Sequence, residues 1–208
     1  MPLDPAQFTG FLAAAILITL APGPDNLMVL SLGVARGRRQ GMAFGLGCAV
    51  GCLSHTALAA LGVSAIIAAS PWAFLALKLA GGLYLAWLGI QMLRHPDLGA
   101  AGPAGSGENA WRLFRRGLVA NAVNPKVILF FLAFLPQFVQ AGRGAVAGQT
   151  LALGLTFTVQ AAVLFCLLGA CAGQLGRVLS RRPAMGRWLN RLAGLTFLGV
   201  GARLALGR

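Results

Sequence analysis

Long apolar runs separated by short polar segments make up most of the chain. A transmembrane α-helix needs about 20 consecutive apolar residues, and six runs have roughly that length or more. These runs are residues 8–33, 41–69, 72–93, 117–139, 145–173 and 188–206. The second and fifth runs are longer than a bilayer core requires, so we expect them to tilt or bend. The pattern predicts an all-α membrane protein with six transmembrane helices.

Helix-breaking residues interrupt two of these runs. The first run contains Pro22-Gly23-Pro24, and the fourth contains Asn124-Pro125. Proline removes a backbone donor and clashes with the preceding turn, and glycine is entropically unfavourable inside a helix. Short or interrupted helices at corresponding places in two halves of a membrane protein indicate a transporter binding site. We therefore expect broken helices one and four, with a binding site where the breaks meet.

The two halves of the chain resemble each other. Residues 78–85 in the third run match residues 191–198 in the sixth, and the two breaks occupy equivalent positions. Each half holds three spans, an odd number, so the second half must insert upside down relative to the first. Small residues from 99 to 107 indicate a flexible linker. The predicted single domain, 1–208, consists of repeat one (1–94), a flexible cytoplasmic connector (95–114) and repeat two (115–208).

Composition supports the membrane class and narrows the possible functions. Of the 208 residues, 58% are hydrophobic and only 10% are charged, against roughly 25% charged in an ordinary soluble domain. The net charge of +13 does not indicate nucleic-acid binding, because the arginines lie in short loops and form no separate soluble module. Most arginines follow the first, third and fifth spans, which predicts cytoplasmic odd-numbered loops and both termini in the periplasm.

Asp25 follows the first break directly and is the only acid inside an apolar run. An ionisable group at membrane depth is costly and indicates a functional site. The half-helix after Pro24 should present N-terminal amides, including those of Asn26 and Leu27, whose partial positive charge suits a carboxylate. The Asp25 side chain suits an ammonium group, so the pair predicts a zwitterionic solute. The alternative is that Asp25 only caps the second half-helix.

Lys126 occupies the equivalent place after the second break. A lone lysine within an apolar run needs a partner, and Asp25 is the candidate. Substrate or a proton could then compete with each of these two residues for its partner. The alternative is a lysine extending to the cytoplasmic surface. Asn26, Asn121 and Asn124 could line the site or only satisfy backbone groups freed by the breaks.

His55 lies in the middle of the second run. It could relay protons, or it could donate a hydrogen bond between helices as a neutral side chain.

No cofactor and no metal ion are expected. The cysteines lie inside apolar runs and form no CxxC pair, which favours packing over redox or metal chemistry. A divalent cation needs several oxygen ligands, usually from two or more carboxylates, and the apolar runs offer only Asp25. A cation transporter or channel of the same architecture is the alternative function, and a membrane redox enzyme that uses the thiols is a further one.

Several motifs together resemble one known family. They are Ala21-Pro22-Gly23-Pro24-Asp25-Asn26-Leu27, the glycine-rich start of the second run, Lys78 with Gly81, Tyr84-Leu85 and Gly89, and Asn121 with Asn124-Pro125-Lys126, Phe130-Phe131 and Pro136-Gln137-Phe138. With these motifs the sequence resembles the LysE/RhtB family of amino-acid exporters over nearly its whole length. The resemblance implies two inverted three-helix repeats in the bacterial inner membrane, often assembled as a dimer.

The function that the resemblance implies is export of an amino acid or a derivative, driven by the proton motive force, and not an enzymatic reaction. The family's substrates include lysine, arginine, homoserine, threonine, leucine and cysteine derivatives. A single intramembrane acid offers few partners to a dibasic substrate, which favours a neutral amino acid. The expected partners are the amino acid, protons, the lipid bilayer and a second copy of the chain, with no nucleic acid.

The expected site combines both breaks. Proton coupling is expected at Asp25 and His55. The expected substrate-binding residues are Pro22, Gly23, Pro24, Asp25, Asn26, Asn121, Asn124, Pro125 and Lys126.

Overall fold

The computed structural model describes residues 4–94, 108–140, 142 and 144–206. Residues 95–107, which hold most of the predicted connector, lie outside the described residues. The main helices are α1 (Pro5–Leu20), α2 (Pro24–Arg36), α3 (Arg38–Ala69), α4 (Pro71–Arg94), α5 (Ala110–Ala122), α6 (Pro125–Leu129), α7 (Val146–Arg181) and α8 (Pro183–Leu206). A π-helical turn, Phe130–Phe134, and a 3-10 turn, Leu135–Phe138, follow α6.

Every predicted apolar run coincides with one helix or with one broken pair. Within the described residues, segments Arg38–Gly62 and Val146–Leu179 are long and apolar enough to cross a membrane alone, and each bent pair could add one span, giving two to four. The helical membrane class is therefore supported, while six spans remain a prediction. Helix α5 begins at Ala110, so the last residues of the predicted connector are helical.

Both expected helix breaks are present. The axes of α1 and α2 differ by 56°, and the segments before and after the second break differ by 50°. Each following helix starts with a proline, Pro24 or Pro125. Proline suits the first position of a helix because its missing N–H would have no intrahelical partner there. Pro24 and Pro125, which were expected to interrupt a helix, therefore also start the helix that follows.

Small residues allow α3 to lie unusually close to α5. A methyl group added at Gly47 would overlap the Phe114 carbonyl, and one added at Gly117 would overlap the Phe44 carbonyl. A methyl group at Gly51 would lie 2.9 Å from the Asn121 side chain. Glycine permits such backbone approach between membrane helices. This contact holds the end of α5, and with it the second break, against the middle of α3.

Two pairs of long helices, one helix of each pair from each half of the chain, pack in opposite directions. Along α4 and α8, Gly89 lies against Gly194, whereas the earlier residue Gly82 lies against the later residue Gly201. Contacts therefore move forward on one helix as they move backward on the other, as in an antiparallel pair. Helices α3 and α7 show the same order, with Gly45 against Phe165 and Thr56 against Gly154.

The two broken pairs also cross in opposite directions, so that their breaks meet. Near the break, Asp25 contacts Asn121 and Ile18 contacts Lys126. Further out, Phe11 near the start of α1 packs against Phe138 after the second break, with ring centroids 5.5 Å apart. The crossing places four half-helix ends in the interior of the molecule.

Polarity is distributed opposite to that of a soluble protein. Large apolar side chains are exposed on the outer faces of α3, α4 and α7, among them Leu61, Trp72 and Val159, as expected for surfaces that contact lipid. The interior contains a group of buried polar side chains near the breaks. That group comprises Thr19, Asp25, His55, Thr56, Asn121, Asn124 and Lys126.

Candidate functional site

A small buried cavity lies where the two breaks meet. Its polar lining residues are Thr19, Asp25, Cys52, Asn121 and Lys126, and its apolar ones are Ile18, Val127, Phe130, Phe157 and Phe165. The cavity volume is about 10 Å³, which is about the space that one water molecule needs. An amino acid is much larger than water, so any such solute must widen this cavity to bind.

Asp25 lies in the first turn of α2 and is only 3% exposed. Its carboxylate Oδ2 accepts a hydrogen bond of 2.9 Å from Nδ2 of Asn121. The N-terminus of a helix carries partial positive charge, which stabilises a carboxylate in the first turn. The side chain of Asp25 does not cap α2, because that helix has no side-chain cap. The acid is thus held by an amide from the other half of the chain.

Lys126 lies in the first turn of α6 and is 7% exposed. Its ammonium Nζ donates to the carbonyl oxygens of Ile18 and Ala21, at 3.2 and 3.1 Å. Both carbonyls belong to the end of α1, where the break removes their intrahelical donors. The expectation of a direct pair with Asp25 is therefore corrected: the ammonium is hydrogen-bonded to backbone carbonyls of the first break. The burial of Lys126 also argues against a lysine that extends to the surface.

Asn121 joins three elements at the centre of the site. Besides donating to Asp25, its side-chain oxygen accepts from the thiol of Cys52 at 3.4 Å. Its main-chain carbonyl lies 3.0 Å from Nε2 of His55. A carbonyl only accepts, so His55 carries a proton on Nε2. Asn121 thereby links α3, the end of α5 and the start of α2.

His55 makes the inter-helix hydrogen bond that was one of its two interpretations. Its ring also packs against Phe131, with centroids 5.6 Å apart. The Asn121 carbonyl also accepts from the amide of Asn124 at 2.9 Å, so His55 adds a second hydrogen bond at the end of α5, as Lys126 adds hydrogen bonds at the end of α1. A role in proton coupling stays a prediction.

The remaining predicted residues serve the breaks in different ways. Asn124 caps α6 by accepting from the amide of Lys126 at 3.0 Å, and Asn26 donates to the carbonyl of Thr19 at 2.7 Å. The amide of Leu27 donates to Gly23 at 3.0 Å, so it is not available to a solute, contrary to expectation.

Gly23 leaves room for the ammonium group of Lys126. A methyl group added at Gly23 would lie 2.8 Å from the ammonium nitrogen. Pro22 and Pro24 define the first break, and Pro125 starts the half-helix after the second.

Sequence reasoning missed two polar residues of the cavity, Cys52 and Thr19. Cys52 stands three positions before His55 on α3, which places both on one helix face, and this spacing could have indicated it. Thr19 accepts from Nε2 of Gln160 on α7 at 2.9 Å. No local signal marks Thr19, because only the crossing of α1 and α7 brings it to the site.

Some buried polar atoms near the breaks have no hydrogen-bond partner. They are Oδ1 of Asn26, Nδ2 of Asn124 and Oε1 of Gln160. Buried polar groups are usually satisfied, so such atoms need an explanation. Asn26 and Asn124 flank the two breaks, and Gln160 donates to Thr19 beside them. Within the described residues, no group of three or more His, Cys, Asp or Glu could hold a metal ion.

Broken helices that cross at buried charged groups, inside an all-helical chain with apolar outer faces, define the class as membrane transporter. Comparison of the sequence with family models matches the LysE type translocator over residues 16–208. The chain belongs to this family. Its members are transporters, and the protein is not an enzyme.

Named relatives cover nearly the whole chain. An uncharacterised membrane protein of Vibrio cholerae is 34% identical over 99% of this chain and all of its own length. A leucine efflux protein of Enterobacter sp. is 32% identical, covering 96% of this chain and 95% of its own. A threonine efflux protein of Escherichia coli K12 is 32% identical, covering 93% and 94%. No solved structure matches the chain.

Proposed function

We propose that this protein exports an amino acid from the bacterial cytoplasm by proton antiport, and that the solute binds at the paired helix breaks. The observation that carries the proposal is one buried cavity lined by both a carboxylate, Asp25, and an ammonium group, Lys126. A carboxylate and an ammonium group complement the two charges of a free amino acid. The names of the leucine and threonine efflux relatives support the same class of substrate.

Binding would exchange hydrogen-bond partners that are already present. The substrate ammonium would take the place of the Asn121 amide at Asp25, and the substrate carboxylate would draw Lys126 from the carbonyls of Ile18 and Ala21. Each exchange replaces one charge-assisted hydrogen bond of the protein by another. The site is thereby prepared for a zwitterion before the solute arrives.

Proton coupling is assigned first to Asp25. Its carboxylate is buried and contacts a neutral amide, so a proton and a substrate ammonium group would compete for the same oxygens. Antiport requires that competition. The carrier then crosses the membrane with either the substrate or the proton bound, so the two move in opposite directions. His55 is the second candidate, since it reaches the same Asn121 through the backbone.

Alternating access would come from two inverted three-helix repeats. The antiparallel packing of α4 with α8 and of α3 with α7 supports this arrangement, because equivalent helices of inverted copies run in opposite directions. Six spans with both termini in the periplasm agree with the excess of arginine in alternate loops. A homodimer in the inner membrane stays a prediction from the family resemblance.

The test uses inside-out membrane vesicles, in which the cytoplasmic face of the protein is outside. We expect uptake of labelled leucine or threonine that depends on an acidic lumen and is abolished by a protonophore. Asp25→Asn should lower this uptake about 100-fold, because a hydrogen bond to a charged group contributes about 1.5–3 kcal/mol. Asp4→Asn is the matched control, since it removes a carboxylate at the start of α1 and asparagine still caps a helix.

Normal uptake by Asp25→Asn would show that the assigned site is wrong. Uptake that a protonophore leaves unchanged would contradict antiport but not export. Movement of a cation such as rubidium or calcium, without movement of any amino acid, would favour the cation transporter.

A further inference from the structure

We infer that the apolar side of the cavity binds the substrate's side chain, and that Phe157 determines which side chains fit. The inference rests on the proposed function, because it assumes that the charged side of the same cavity binds the α-amino and α-carboxyl groups. It names the substrate class as amino acids with an uncharged, preferentially aliphatic side chain.

The cavity lining is divided by chemistry. Asp25, Asn121 and Lys126 contribute polar groups to the lining, and Val127, Phe130 and Phe157 contribute apolar surface. An amino acid has the same division, with two charges at one end and the side chain at the other. With its charged groups at Asp25 and Lys126, the substrate leaves its side chain to a lining whose apolar residues include three phenylalanines.

The π-helical turn helps to build the apolar wall. It begins at Phe130, one turn after Lys126, and such turns often occur at functional sites. Phe130 and Phe131 are consecutive, yet both pack against Phe157, each with ring centroids 5.0 Å away. Phe157 therefore contacts both residues, is 3% exposed and lines the cavity.

Phe157 is the residue through which cavity size can change with least effect on the framework. Phe165 is fixed by the close approach of α3 and α7, because Gly45 lies directly against it. Phe130 packs against Phe11 and Phe134 in addition to Phe157, so its loss would open space away from the cavity as well. Phe157 meets the cavity, Phe130 and Phe131.

Charged side chains have no partner on this wall. Among the described residues that line the cavity, Asp25 is the only acid, and it is used by the substrate's α-amino group. A lysine side chain would place a second ammonium group against phenylalanine rings, whose attraction for a cation is weak compared with the loss of water. A carboxylate side chain would lose its water against the same rings, while Lys126 is used by the α-carboxyl group.

The experiment measures ligand-induced shifts in melting temperature of the purified full-length protein in detergent, with alanine, valine, leucine, phenylalanine, lysine and glutamate as probes. A ligand that binds the folded protein raises this temperature according to its affinity. For the unmodified protein we expect shifts from valine and leucine and none from lysine or glutamate. Uptake of leucine and phenylalanine by the inside-out vesicles described above then provides an independent measure of the same preference.

Phe157→Ala should enlarge the pocket and move the ratio of phenylalanine to leucine affinity upward about tenfold, because small changes in apolar pocket volume discriminate about 10- to 200-fold. Phe157→Leu should raise the same ratio by a smaller factor. This variant replaces the alanine variant in the experiment if the alanine variant does not fold. Phe197→Ala is the matched control: Phe197 is equally buried, on α8, and does not line the cavity. Its ratio should stay unchanged.

The outcomes separate the two ideas. Equal stabilisation by lysine and leucine, or an unchanged ratio in both Phe157 variants, overturns the assignment of the apolar wall while Asp25-dependent amino-acid binding still supports the proposed function. If no amino acid stabilises the protein and Asp25→Asn has no effect on transport, the proposed function fails, and the side-chain pocket fails with it.

Discussion

The two helix breaks use different residues to provide hydrogen-bond donors for the carbonyls at the end of the first half-helix. At each break, a basic side chain from elsewhere in the chain reaches the carbonyls that end the first half-helix. Lys126 does so for α1, and His55 does so for the Asn121 carbonyl of α5. The starts of the second half-helices differ, because α6 is capped by Asn124 whereas α2 has no side-chain cap and carries Asp25 in its first turn.

The positions of the charges show how the breaks depend on each other. Asp25 is favourable within its own helix, because a helix N-terminus attracts negative charge. Lys126 is unfavourable within its own helix for the same reason. Its ammonium reaches the C-terminal carbonyls of α1 instead, where positive charge is stabilised. The charge of the second break is therefore explained only by the first break.

This dependence predicts the largest effect for Lys126→Met. The substitution removes the ammonium group that is proposed to bind the substrate carboxylate. It also leaves the carbonyls of Ile18 and Ala21 without the donor that Lys126 provides. We expect export in the vesicle assay to fall about 100-fold, since hydrogen bonds to a charged group contribute about 1.5–3 kcal/mol each. Lys126→Arg keeps the charge and should retain more activity. Equal loss in both variants would mean that shape and not charge matters at this position.

Gly23→Ala should have an intermediate effect that depends on Lys126. The new methyl group would lie 2.8 Å from the ammonium nitrogen, and the backbone of Gly23 is extended, so alanine is otherwise permitted. Displacement of the ammonium by about 1 Å should lower export about tenfold or more. Gly62→Ala, where nothing lies within 4 Å, is the control. In the background of Lys126→Met, Gly23→Ala should cause no further loss; an additive loss would contradict a direct effect on the ammonium.

Asn124→Ala should have the smallest effect, because it removes the cap of α6 but no charged group. Loss of an N-cap costs about 1 kcal/mol, which corresponds to about 2–4 °C in melting temperature for a chain of this size. Asn124→Ser should preserve most of the cap. Asn109→Ala removes the same kind of cap from α5, where Asn109 accepts from Arg112 at 2.8 Å, and is the matched comparison. A loss of export as large as that of Lys126→Met would show that Asn124 contacts the solute.

Much of the fold follows from local sequence chemistry. Proline in the middle of a long apolar run cannot continue the helix before it, so both breaks were predictable at Pro22-Gly23-Pro24 and Asn124-Pro125. Apolar runs of sufficient length predict helices, and all six correspond to helices or broken pairs. An acid beside a break inside an apolar run is costly, and this cost led to the prediction of a site there. These inferences need no knowledge of distant contacts.

The partners of the site residues could not be predicted in the same way. Asp25 and Lys126 have opposite charges at equivalent breaks, which favoured a direct pair. The structure instead gives Asp25 the amide of Asn121 and gives Lys126 two carbonyls of α1. Freed backbone groups are strong acceptors in a medium without water, and sequence patterns do not show how close they lie. Cys52 and Thr19 were missed for the same reason.

The sequence alone therefore determined the helical membrane class, the two breaks and the charged residues beside them, because these depend on residues close together along the chain. Only the tertiary structure decided that the broken pairs cross antiparallel, that Asn121 connects three elements, and that phenylalanines from α7 and the π-helical turn line the cavity. Those features depend on how closely the helices pack at glycines such as Gly47 and Gly117. The distance between two helices is set by all the residues at their interface, which come from distant parts of the chain.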